Sequence, residues 1–357
     1  MKKIFTSVLA IAAIAACTKS EVQYETPGEI GFAPAVKNIT KAAITDGVYP
    51  EQPLRVYANY GTVEANTPVD ATASNFTTGF LANALFVKKT VGSVIAWGGE
   101  GNGYTWPNNG SLIFAGYSVP NENEIGTASY DFKNDKLTIT GYTQSTSTDS
   151  TFDLGWFGRT STSYNYRNNS TNTVPVTLSH ALSWIEIQVK GEGTTITEGN
   201  PWTITSIVMN NVANTGNVTC VGSGANKASW TNLGTANNSI TIYSGTGLPL
   251  SGTAAVCEDN TAGTLVIPQT PSEITPDDDT DTEVATLTIK YTYKTSTGAQ
   301  MPDQTTTVAL VVKEGEQIVG WKSGYKYIYT LTFKANEILI APSYGAWDSV
   351  NQGVTVE

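Results

Sequence analysis

Histidine occurs once in the 357 residues, cysteine three times and methionine three times, and charged side chains make up only 14% of the chain. Each shortage closes off a class of chemistry. A Ser-His-Asp or Cys-His nucleophilic site needs an imidazole base. The only one is His180, whose neighbours Val176, Leu178, Leu182 and Trp184 mark a structural histidine at a strand junction. Cys220 and Cys257 are too few and too far apart for zinc, which takes four closely spaced nitrogen or sulfur ligands. Lys and Arg total 20 against 31 Asp and Glu, a formal net charge of −11. No basic patch is visible, so nucleic acid is not an expected partner: polyanion binding draws on clustered cations to release counterions. The acidic run Asp277 to Asp281 lacks the glycine and glutamate of a calcium loop and reads as a solvated loop. The glycine-rich run Gly98 to Gly103 has no Lys-Ser/Thr ending and no following helix, so it is not a phosphate loop. The chain is therefore not read as an enzyme, and no cofactor or metal is expected.

Long apolar runs are missing too, with one exception. After Met1, Lys2 and Lys3 comes an Ala-rich stretch from Ile4 to Ala16. It is shorter than the roughly 20 apolar residues that span a bilayer, and polar residues follow it at once. Residues 1–16 read as a signal peptide. The sequence Ile14-Ala15-Ala16-Cys17 resembles a bacterial lipobox, in which cleavage occurs just before a cysteine that carries lipid. Cys17 is thus the expected lipidation site and first mature residue, residues 17–27 a lipidated linker, and the expected location the outer membrane surface.

What is present favours strands. Gly (33) and Pro (15) punctuate a body rich in Thr, Ser and Asn, and 17 Tyr and 8 Trp supply material for a sizeable core. Ala285, Leu287, Ile289, Tyr291 and Tyr293 alternate with polar residues, the period-two pattern of a half-buried strand. The pattern recurs at Tyr325 to Phe333, at Val308, Leu310 and Val312, and at Ile185, Ile187 and Val189. Shorter examples are Leu137 with Ile139 and Ile240 with Ile242. Asn108-Asn109-Gly110, Asn134-Asp135 and Thr297-Gly298 read as turns. No amphipathic helix longer than two turns follows the signal peptide, and no internal repeat stands out. The expected class is all-β, an antiparallel sandwich. A boundary near residue 182 divides an N-terminal domain, 28–181, from a C-terminal one, 182–357. Two groups keep two readings each. Cys220 and Cys257 form a disulfide in an oxidising compartment if their Cα atoms come within reach. Trp97, Tyr104 and Trp106 either cap the core, the favoured reading, or offer rings from a loop to a glycan or host protein.

The order of segments resembles the fimbrillin family of Bacteroidales, lipoprotein precursors of type V pilins. The resemblance runs through Gly28-Glu29-Ile30-Gly31-Phe32-Ala33, Leu54 to Tyr60, Asp153-Leu154 and Val174-Pro175-Val176-Thr177-Leu178-Ser179-His180-Ala181-Leu182-Ser183. It continues through Leu265 to Gln269, Trp321, Gly324-Tyr325-Lys326-Tyr327-Ile328-Tyr329-Thr330-Leu331 and Trp347. It implies two transthyretin-like antiparallel β-sandwich domains in tandem and a structural subunit of a cell-surface fimbria that supports adhesion. Assembly would follow protease-triggered strand exchange, with other pilin subunits as partners. By resemblance, 28–41 holds the removable strand, with Ile30 and Phe32. Lys37, Lys41 and Arg55 are the candidate cut sites, Lys41 preferred because Arg55 lies inside the next strand. The tail 348–357, with Val350, Val354 and Val356, would be the donor. The competing expectation is a surface lipoprotein that does not polymerise and binds a ligand through the Trp97 to Trp106 loop.

Overall fold

Period-two alternation sends successive side chains to opposite faces, so a sequence of such runs must become sheets that bury one face each. The computed structural model describes residues 27–36, 52–70, 72–120, 125–146, 152–166, 173–199, 201–222, 227–257, 264–270, 285–295, 297–314, 317–335, 337–346 and 354–355. Among them the protein is all-β, with no α-helix. The first half supplies β1 (Gly31–Val36), β2 (Leu54–Gly61), β3 (Thr78–Val91), β4 (Val94–Gly99), β5 (Ser111–Ser118), β6 (Thr127–Asp131), β7 (Lys136–Thr143), β8 (Gly155–Phe157) and β9 (Thr173–His180). The second supplies β10 (Ser183–Gly191), β11 (Thr203–Val212), β12 (Thr215–Val221), β13 (Lys227–Thr231), β14 (Asn238–Pro249), β15 (Ala255–Val256), β16 (Thr264–Val266) and β17 (Thr286–Thr292). It ends with β18 (Gln304–Ala309), β19 (Lys313–Glu314), β20 (Gln317–Ile318), β21 (Tyr325–Lys334), β22 (Glu337–Ala346) and β23 (Val354–Thr355).

Strands β1-β4-β3-β2-β5-β8-β9 close into a barrel. Its interior is filled by fully buried Ile30, Phe32, Leu54, Val56, Phe86, Leu112, Phe114, Val174 and Leu178. The C-terminal part pairs the sheet β14-β11-β17-β18 with a second sheet running β15-β10-β21-β22-β23, in which β16 also pairs with β10. Ile185, Ile187, Leu287, Ile289, Tyr327, Tyr329, Leu331 and Phe333 form the core they share. The rows read from alternation at 285–289 and 327–333 are these inward faces.

Two features depart from a plain antiparallel sandwich. Strand β1 runs parallel to β9, and β10 runs parallel to β21. Parallel neighbours cannot be joined by a hairpin and need long crossovers, so neither pairing is visible in local sequence. A further sheet, β13-β12-β7-β6, draws two strands from each side of residue 182. Its β7–β12 pairing brings Leu137, Ile139 and Tyr142 together with Val218, Cys220 and Trp184 in a middle core.

Candidate functional site

Strand β1 is where local sequence and tertiary placement diverge most. Ile30 and Phe32 are 0% exposed and point into the barrel, while Ala33 and Ala35 face outward. The Phe32 ring meets Phe86 and Phe114 edge-on at centroid distances of 4.9 and 5.1 Å. That geometry opposes ring edge to ring face and is favourable. All six β1 residues pair with β9, from Gly31 opposite Thr173 to Val36 opposite Leu178. On the other side only Gly31 and Phe32 pair, with Gly98 and Trp97 of β4. The Ile30 amide donates to the Tyr104 carbonyl at 2.7 Å, and Glu29 pairs with Lys89 at 2.6 Å. A Cβ on Gly98 would press on the side chains of Lys89, Val91 and Glu29, so the glycine leaves room for the Glu29–Lys89 pair.

None of these neighbours is adjacent to β1 in the chain. Residues 37–51 lead from it to β2, with which it does not pair. Apart from that connection, β1 is held by its ladders and its buried side chains. Full burial of an apolar side chain is worth about 1.5–3 kcal/mol, so Ile30 and Phe32 together contribute about 3–6 kcal/mol. A barrel without β1 has an apolar slot over Phe86 and Phe114, flanked by unpaired backbone groups on β4 and β9. Such an edge is a template for another strand.

The remaining expected site residues fall as follows. Arg55 sits within β2, its residue paired to Leu85 on one side and Tyr117 on the other. That backbone is closed to a protease. Lys37, Lys41 and Cys17 lie outside the described residues, as do Val350, Val356, Trp347 and the acidic run 277–281. Val354 lies in β23, opposite Tyr344 on the edge of β22.

Trp97 and Trp106 are 7% and 2% exposed. The Trp97 indole N–H donates to the Gln52 carbonyl at 2.8 Å, the Trp106 ring stands edge-on to Phe114, and Tyr104 stacks on Phe86. Both indoles are packed into the barrel interior, as in the core-cap reading of this segment. Cys220 belongs to the middle core and Cys257 to the C-terminal core, and no disulfide joins them. Burial pushes the Cys220 thiol well above its ordinary pKa. His180 has the structural role expected of it: its Nδ1 lies 2.6 Å from the Asp153 carboxylate, tying the entry of β8 to the end of β9.

One pair escaped the sequence reading. Lys326 alternates with the inward Tyr row of β21 and reads as solvated, yet it is 3% exposed. Its Nζ lies 2.5 Å from Glu186 of β10 and 3.9 Å from the centre of the Trp184 ring. The outer face of this sheet is covered by the middle core, so a cation there needs a carboxylate and a π-face.

Residues 52–347 match the model of a family described as fimbrillin-like. No curated protein is a significant match. Among solved structures, a fimbrial protein from Bacteroides vulgatus is similar at 16% identity and a TM-score of 0.56, covering 90% of this chain and 99% of that one. A fimbrilin from Porphyromonas gingivalis covers 87% and 91% at 11% identity and a TM-score of 0.40. The tip fimbrial protein Mfa3 from the same organism covers 88% and 99% at 10% identity and a TM-score of 0.39. The first of these shows a shared fold. With the family model spanning most of its length, the chain belongs to the fimbrillin-like family.

Proposed function

We propose that the protein is a structural subunit of a cell-surface fimbria, exported as a lipoprotein through Cys17 and assembled by strand exchange, and that the fimbria supports cell adhesion. The observation that carries this reading is the position of β1, which closes the barrel between β4 and β9 and has no pairing with its chain neighbour β2. While tethered, β1 competes at an effective concentration of about millimolar, so an outside strand cannot displace it. A trypsin-like cut at Lys37 or Lys41 removes that advantage. A strand from the C-terminal part of another subunit then satisfies the slot and its open ladders, as in other cases of β-strand addition. The barrel and the C-terminal sandwich take the parts of the two transthyretin-like domains. The partners are other pilin subunits, the outer membrane through the lipid before processing, and a host surface after assembly. The chemistry is structural and not enzymatic.

Limited trypsin treatment of the full chain tests this. Cleavage within 37–51 should release a fragment containing Ile30 and Phe32 and produce SDS-resistant ladders. A protein that is cut there and stays monomeric overturns the reading.

A further inference from the structure

The glycine-rich, aromatic run that the fimbrial reading leaves without a task lies against the start of β1. Residues 98–106 read Gly-Gly-Glu-Gly-Asn-Gly-Tyr-Thr-Trp and lead out of β4. The Ile30 amide donates to the Tyr104 carbonyl at 2.7 Å, and the Trp106 amide donates to the Gly28 carbonyl at 3.1 Å. Between them, Glu29 stands opposite Thr105 in an antiparallel bridge. We infer that residues 99–106 form a strap over the N-terminal end of β1, and that Glu29 and Lys89 are the clasp that fastens it and sets how long β1 stays in the barrel. The clasp is a property of the intact fold; its consequence for assembly rests on the strand-exchange reading and adds a control on that step.

Charge and space make the clasp. The Lys89 side chain comes from β3, ends 2.6 Å from the Glu29 Oε1 and also donates to the Gly99 carbonyl at 2.7 Å. One ammonium thus ties the first residues of β1 to the start of the strap. The Glu29 Oε1 is shut off from solvent, so Lys89 supplies its compensation. A carboxylate in that position is costly once its cation is gone. Gly103 lets the strap come this close. Its φ of 72° lies in the left-handed region that other residues rarely adopt, and a Cβ there would press on the Glu29 side chain.

The strap and β1 also share supports. Tyr104 stacks on Phe86 at 5.5 Å and Trp106 stands edge-on to Phe114 at 5.9 Å, the same two rings that hold Phe32. Release of either loosens the packing of the other. The hold on β1 is therefore uneven. On the side that faces β4, strap and strand together pair residues 29, 31 and 32, and among the described residues no ladder continues along Ala33 to Val36. That end is paired with β9 alone and lies next to the 37–51 connection. A cut in the connection frees the weakly held end, and the clasp at the other end retains the strand.

Two measurements test the clasp. In the intact chain, hydrogen exchange at the Ile30 and Trp106 amides reads opening of the strap. Exchange at both should quicken at least about tenfold in Lys89→Met and less in Glu29→Gln, since only the first strands a buried carboxylate. The Leu310 amide, which donates to Ala285 in the C-terminal sandwich, should be unchanged. Adding Glu29→Gln to Lys89→Met should slow exchange again, because a neutral amide needs no cation. Additive effects of the two substitutions, or exchange at wild-type rates in both, overturn the clasp. The second measurement follows the N-terminal fragment after trypsin has cut within 37–51, by size separation and mass spectrometry. The fragment should leave fastest from Lys89→Met, more slowly from the double variant and slowest from wild type. Equal rates of loss overturn the control on release. A chain left uncut within 37–51 removes the strand-exchange reading instead, and amide exchange in the intact chain still decides the clasp.

Discussion

Strands β1 and β22 each set apolar side chains at alternate positions, in very different surroundings. In the barrel, β1 lies between two neighbours and buries Ile30 and Phe32 completely; on the sandwich edge, β22 has one long neighbour and leaves Leu339 43% exposed. The same alternation is therefore embedded in one place and half-solvated in the other. The strength with which a strand is held depends on the number of ladders and the depth of the slot, and much less on its own residues.

Truncation should expose this asymmetry most strongly. Phe32→Ala removes a ring packed between Phe86 and Phe114 and should cost about 3–5 kcal/mol in denaturant unfolding of the intact chain. Ile340→Ala, at a half-buried site, should cost about 1–2 kcal/mol, well below the range for full burial. Equal costs at the two positions would break the comparison.

The anchoring of the sheet that carries β22 can be tested at its buried ion pair. Lys326→Met strands Glu186 without its cation and should destabilise by about 3–5 kcal/mol, while the double variant with Glu186→Leu should recover most of the loss. Thermal unfolding of the single and double variants would read this coupling.

A smaller effect concerns the outer fastening of β22. The Tyr344 hydroxyl donates to Glu314, and its ring stacks on Tyr327 at 5.5 Å. Tyr344→Phe keeps the stack and loses the hydrogen bond, a small loss because water screens an exposed bond. Hydrogen exchange in β22 should quicken while β1 is unaffected.

The smallest effect is on pH dependence. The Tyr344 hydrogen bond, aided by Lys322, holds the Glu314 carboxyl below its ordinary value of 4.5. A lowered carboxyl contributes stability above its unfolded pKa and loses it as the pH falls through the folded one. The hold on β22 should thus weaken below about pH 4.5, and less so in Tyr344→Phe. At the alkaline end the same hydrogen bond pushes the Tyr344 phenol up to about 12, so its contribution is complete below 10 and fades between 10 and 12. Exchange rates in β22 across both windows, compared with Tyr344→Phe, check the two signs.

Much of the fold was legible because burial follows parity. Leu287 and Ile289, Tyr327 to Phe333, Ile185 with Ile187, and Leu137 with Ile139 all alternate, and each set lies in a core. His180 with Asp153 was legible in part: lone occurrence and apolar neighbours marked the histidine as structural, and the structure supplied its partner. The burial of Lys326 was not legible, because parity tells which residues share a face but not whether a second layer covers that face. Trp97 and Trp106 were ambiguous for a related reason, since a ring in a glycine-rich segment is compatible with a surface loop and with a barrel lid.

By itself the sequence determined the all-β class, the inward rows of the main strands and the family resemblance, because these depend on residue order at short range. Only the tertiary structure decided that β1 closes a barrel beside β9, that one sheet draws strands from both halves, and that Lys326 is buried. Those outcomes depend on pairings between residues distant in the chain, from Thr143 with Thr215 to Gly31 with Thr173. Short-range alternation carries no information on which distant strand will supply the missing hydrogen bonds.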